Sequence, residues 1–123
     1  MILLLFLAAM LTTKNATLAI GGVIVLAKVW DKIRPVIIAR SEEGAEYHFG
    51  ISHSTKRKNM KPLTQEGIVD FEVEENTVYG LCNKPSEIKA EIGTITMEKA
   101  AELIGSLPKR KKEKIEKRKK PTN

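Results

Sequence analysis

The chain has 123 residues, of which 42% are hydrophobic and 5% aromatic, with one cysteine and a formal net charge of +6. That length leaves room for one domain with appendages, and a single cysteine excludes an intramolecular disulfide. The charge is unevenly spread: residues 1–30 carry two basic and no acidic residues, residues 31–108 ten basic and thirteen acidic, and residues 109–120 nine basic and two acidic, so attraction to a polyanion is concentrated near the C-terminus.

Ile2 to Leu11 is an apolar run, Thr12 to Thr17 a polar break containing Lys14 and Asn15, and Leu18 to Ala27 a second apolar run. Neither run alone has the ~20 residues of a spanning helix. Three readings meet here. A cleaved signal peptide lacks a basic start and a clear small-residue site; a hairpin would turn at Lys14 and Asn15; one uncleaved helix would run over Ile2–Ile20. We take residues 1–22 as an uncleaved membrane anchor, single-pass or hairpin. A lysine costs ~3 kcal/mol at the bilayer centre and less near its edge, while each Leu, Ile or Phe returns ~0.5 kcal/mol, so insertion stays favourable. Lys28, Lys32 and Arg34 follow at once, which by the positive-inside rule leaves the body of the chain in the cytoplasm. Leu11–Ile20, reading L-x-x-K-N-x-T-L-x-I, resembles the start of a family of small multi-helix membrane proteins of unknown function. Asn15-Ala16-Thr17 has the form of a glycosylation acceptor but adjoins the apolar runs too closely to carry weight.

Past Gly21 and Gly22 the chain changes to short runs rich in β-branched and aromatic residues, separated by turn residues. Strands are predicted over Val23–Trp30, Val36–Arg40, Glu46–Ser52, Ile68–Glu74 and Thr77–Cys82. Pro35 cannot donate to a ladder and suits a strand start or edge. Gly44 supplies positive φ for a turn after Ser41. In Ile68–Glu74 the residues Val69, Phe71 and Val73 alternate with acidic ones, the pattern of a half-buried strand. Five short strands and one long polar loop point to a small closed barrel over residues 23–95, because closure removes exposed edges.

Several of these runs resemble the cold-shock family. Glu46-Tyr47-His48-Phe49-Gly50-Ile51-Ser52 is similar to that family's D-V-F-V-H-I-S strand. Leu63 to Glu75, LTQEGIVDFEVEE, is similar to L-x-E-G-x-x-V-x-F-E-V-E-E, and Gly80-Leu81-Cys82-Asn83 to G-x-x-A-x-N. With Trp30 on the second aromatic of K-W-F, Val36-Ile37-Ile38 falls into step without a gap. The resemblance spans about residues 27–83. It implies a five-stranded OB-type barrel and the binding of single strands by stacking bases on aromatic rings, a contact worth ~1–3 kcal/mol per base. The chain departs from that pattern at the stacking motifs. Arg34-Pro35-Val36-Ile37-Ile38 stands for K-G-F-G-F, His48 for a phenylalanine and Gly50 for the histidine. Trp30, His48 and Tyr47 remain as stacking candidates, while interfacial or packing aromatics are the simpler reading of Trp30 and Tyr47.

Other constellations add little. His48, His53 and Cys82 have neither the spacing nor the fourth ligand of a zinc site, so neither metal nor cofactor is expected. Cys82 as a nucleophile would need a histidine that spacing does not supply, and a packed thiol is the default. Glycine-rich phosphate loop, paired-carboxylate signature and nucleophile elbow are all missing. Lys56, Arg57 and Lys58 sit in the long loop, and loops flank the binding face of an OB barrel, which makes them candidates for phosphate contacts.

Glu87 to Thr96 is ambiguous: Ile88, Ala90 and Ile92 alternate as in a strand, while Gly93 interrupts any helix. Thr96 then reads as an N-cap with Glu98 in the first turn, opening one C-terminal helix within residues 96–107. Residues 108–123 form a basic tail, disordered or a frayed helix in isolation, because Ile115 is its one apolar residue within KRKKEKIEKRKK. Lys109, Arg110, Lys111, Lys112, Lys117, Arg118, Lys119 and Lys120 are the candidate polyanion contacts, to RNA phosphates or to anionic lipid at ~1 kcal/mol per basic residue. The chain therefore reads as mainly β, a membrane-anchored, non-enzymatic module contacting single-stranded RNA. A structural membrane protein is the alternative, with the barrel as an assembly module, the tail on anionic lipid and a homo-oligomer as its form.

Overall fold

A computed structural model describes residues 21–41, 43–53 and 59–119. The anchor expected over residues 1–22 lies almost wholly outside them. Among the described residues no helix is long and apolar enough to cross a membrane.

Among the described residues seven strands form one antiparallel sheet: β1 (Gly22–Val29), β2 (Lys32–Arg40), β3 (Glu46–Ser52), β4 (Lys61–Pro62), β5 (Ile68–Val69), β6 (Val78–Leu81) and β7 (Ile88–Ile95). Two helices follow, α1 (Met97–Gly105) and α2 (Lys109–Lys119). Strand order is β4-β6-β3-β2-β1-β7-β5, so β1, β2 and β3 form a central meander. In β1 the ladder to β7 shifts register between Ile24 and Val25 and again between Leu26 and Ala27. Such irregularities bend and twist a strand, and the sheet curls into a half-barrel, with no pairing between β4 and β5 among the described residues.

The sheet is buried on both faces along β1. Ile24, Ile37, Ala39, Tyr47, Phe49, Ile51, Tyr79 and Ile95 point into the hollow, where Ala100 and Leu103 of α1 complete the main core. The Phe49 and Tyr79 rings meet edge-on there, centroids 5.6 Å apart. Val23, Val25, Ala27, Val29 and Val36 form a second buried cluster, joined by Trp30, Ile38 and Cys82. A strand buried on both faces reads as a continuous apolar run instead of an alternating one, which accounts for GVIVLAKV.

Where sequence and structure differ, local hydrogen bonding gives the reason. The mainly β class holds, but with seven strands in place of five, an open half-barrel in place of a closed barrel, and two C-terminal helices in place of one. The strand expected over Ile68–Glu74 stops at Val69. Asp70 turns to φ +60°, and the Gln65 side chain satisfies the following backbone, donating to the Phe71 carbonyl (2.8 Å) and accepting from the Val73 N–H (2.8 Å). Phe71 and Val73 still pack on the core; the side chain of Gln65 has replaced a neighbouring strand. The ambiguous segment after Glu87 is β7, which pairs with β1 and β5. Thr96 caps α1, its hydroxyl accepting from the Lys99 N–H at 3.1 Å.

Candidate nucleic-acid interface

The second face of the sheet carries the candidate site, and Trp30 is its centre. Val29 pairs with Lys32, so Trp30 and Asp31 alone make the β1–β2 turn, with Trp30 at φ +60°. That region suits glycine and is strained for a bulky residue. The strained turn folds the indole back over β3, where Gly50 leaves room: a Cβ there would lie 2.6 Å from Cη2 of the ring. Arg34 covers the indole with its guanidinium, 5.0 Å from the ring centroid, and is held by Asp31 at 2.9 Å. Arg34 is 6% exposed, so the ring keeps it desolvated and the cation–π contact is at the stronger end of its range.

Beside the indole opens a cavity of about 630 Å³, lined by Trp30, Glu46, His48, Cys82, Lys84 and, from α2, Lys111, Lys114 and Ile115 among others. That volume falls within the range of small-molecule sites. Its charge is mainly positive, because the one carboxylate on its wall, Glu46, is held by Arg40 (2.9 Å) and lies 3.4 Å from His48 Nε2. Burial lowers the pKa of His48 below the usual 6.5, with Lys84 acting in the same direction and Glu46 opposing, so the site disfavours the charged imidazole. Burial also pushes the Cys82 thiol up to about 11, against a backbone hydrogen bond with Gly50 and the charge of Arg34. A thiol held protonated is a poor nucleophile and a poor metal ligand at neutral pH. Among the described residues no group of three His, Cys, Asp or Glu side chains is arranged to hold a metal ion. Another cavity, of about 560 Å³, shares Trp30, Leu81 and Lys111 with the first.

The residues singled out in the sequence separate in space. Trp30 and His48 share the cavity. Tyr47, one position from His48, points to the opposite face, is 1% exposed and gives its hydroxyl to Glu116 Oε2 at 2.6 Å. It has no ring face to offer a base, and is corrected to a core residue. Lys56, Arg57, Lys58 and Lys120 lie outside the described residues, as do the side chains of Arg118 and Lys119. Of the remaining tail residues Lys111 turns to the cavity. Lys109 pairs with Glu113 at 3.9 Å, Arg110 and Lys117 are exposed and Lys112 is half-buried.

Lys84, Lys114 and Arg34 line the site or its edge without having been singled out. Ile115 was the available signal. A lone apolar residue in a charged helix marks the face that docks; Lys111, four positions before it, lies on the same face, and Lys114 lies three positions from Lys111. No family model, no characterised protein and no solved structure matches this chain.

Proposed function

We propose that the chain is a non-enzymatic binding module for single-stranded RNA, tethered to a membrane by its apolar N-terminal segment. The observation that carries this reading is the convergence of Trp30, His48, Lys84, Lys111 and Lys114 on one cavity. The indole lies between Gly50 and Arg34 and offers a base its edge, beside the imidazole of His48, while the three lysines offer contacts to phosphates. The half-barrel is compatible with the OB-type reading that the cold-shock resemblance suggests, and the eight basic residues of α2 extend the positive surface along a strand. Filter binding by the full chain in a non-ionic detergent tests it. Affinity for a single-stranded oligoribonucleotide should fall as a straight line in log K against log salt. Binding that is absent, or indifferent to salt, overturns it.

A second reading, an assembly module with α2 on anionic lipid, is favoured by Ile33 and Ile88. Both are about half exposed, at 53% and 52%, and they stand at the same end of β2 and β7, the two strands flanking β1. It predicts self-association in detergent that survives deletion of residues 109–123, and flotation with anionic but not neutral vesicles.

A further inference from the structure

We infer that Tyr47 and Glu116 form a latch that aims Lys111 and Lys114 into the cavity, making both of them positioning residues of the phosphate-binding site; this rests on the RNA-binding reading.

Helix α2 has little reason to form or dock by itself. Its sequence, KRKKEKIEKRK, sets like charges such as Lys111 and Lys114 at helical spacing against opposite pairs such as Lys109 and Glu113, so charge pairing gives it little net support. At 11 residues it is also shorter than the ~12–15 residues at which isolated helices become even marginal in water. Docking on the barrel must supply the difference. Ahead of α2, at the C-cap of α1, Lys61 Nζ donates to the Ser106 carbonyl at 2.8 Å, and the Ser106 and Tyr79 hydroxyls lie 3.2 Å apart. Further along, Ile115 packs against the main core, and the buried Tyr47 hydroxyl donates to Glu116 Oε2 at 2.6 Å. A phenol bonded to a carboxylate at that distance is a charge-assisted bond, among the stronger kinds available.

Between these two fixed points lie Lys111 and Lys114, both on the cavity wall. With the latch made, Lys111 and Lys114 line the cavity together with Lys84 before any ligand arrives. With it broken, α2 is a basic segment whose ordering must be supplied by the ligand, and affinity falls by the fraction of chains that are docked. The latch therefore reverses the sign expected from charge. Replacing Glu116 by alanine removes a negative charge and installs the best helix former, and for a plain basic tail it would tighten binding to RNA. For a latched site it weakens binding.

The test measures affinity for a fluorescent single-stranded 12-nucleotide RNA at fixed salt, together with amide exchange across residues 111–117, in the full chain. Glu116→Ala and Tyr47→Phe should each weaken binding about three- to tenfold, the net worth of one hydrogen bond, and speed exchange in α2. The double variant should be no weaker than the weaker single one, since both remove the same contact. Glu116→Gln keeps an acceptor for the hydroxyl at the same charge as alanine, and should recover part of the loss. Glu113→Ala makes the same charge change away from the latch, at a carboxylate paired only with Lys109 among the described residues, and should bind as tightly as the native chain or tighter. The inference is overturned if Glu116→Ala tightens binding as Glu113→Ala does, if the two latch variants add, or if exchange in α2 is unchanged. A native chain that binds no RNA overturns the functional reading instead, and amide exchange then still decides whether the latch exists.

Discussion

The indole of Trp30 rests on Gly50: a methyl group at that glycine would fall 2.6 Å from Cη2 and 2.7 Å from Cζ3. One absent side chain on β3 thus decides where the aromatic of the β1–β2 turn lies. It also explains how a turn with Trp30 at φ +60° is held, since packing on Gly50 and beneath Arg34 compensates a strained backbone.

Gly50→Ala should therefore displace the indole while leaving the sheet hydrogen bonds intact. Overpacking of this kind costs ~1–3 kcal/mol. Trp30 is the only tryptophan, so its emission reports the change directly. We expect a red shift and a lower melting temperature. An unshifted emission maximum would mean that the indole does not sit on the glycine.

Titration of His48 makes stability depend on pH. Its pKa is lowered in the folded chain, by burial first and by Lys84, with Glu46 opposing. The unfolded chain then binds the proton more readily, so stability is fully present above the unfolded value of 6.5 and is lost as pH falls from there through the folded pKa. Thermal melts should drop from pH 7 towards pH 5, and His48→Gln should flatten that drop. An equal drop in the variant would assign it to other groups.

Cys82 should be a slow thiol. With its pKa pushed up to about 11 from 9.0, the thiolate fraction near neutral pH is about a hundredfold below that of an unperturbed thiol. Reaction with a disulfide reagent at pH 8 should be slower by that order, and should accelerate to the free-thiol rate in denaturant. A fast reaction in the folded chain would revive Cys82 as a candidate nucleophile.

On the proposed RNA-binding reading, Lys111 and Lys114 should carry more of the affinity than their numbers suggest. Each phosphate contact to a single strand contributes about 0.7 to the salt slope, so Lys111→Ala with Lys114→Ala should flatten it by about 1.4. Lys109→Ala with Arg110→Ala changes the net charge equally but removes residues that do not line the cavity, and should change the slope less. Equal effects would mean that α2 acts as a diffuse charge.

Much of the secondary structure follows from the sequence by itself, for reasons of short range. The apolar run after Gly21, the aromatic and β-branched run Glu46–Ser52, the turn at Gly44 (φ +90°) and the Thr96 cap are set by residues within a few positions of one another. The tertiary structure decided what depends on distant partners. Ile68–Glu74 reads as one strand, yet Gln65 turns its own side chain into the missing neighbour beyond Val69. Neighbours Tyr47 and His48 look alike as stacking candidates, but pleating sends them to opposite faces, one into the core and one into the cavity. The tail reads as solvated charge, and 69 positions separate Tyr47 from Glu116. Pattern reveals a period and a propensity; which face is covered, and by which distant side chain, is settled only when the whole chain packs.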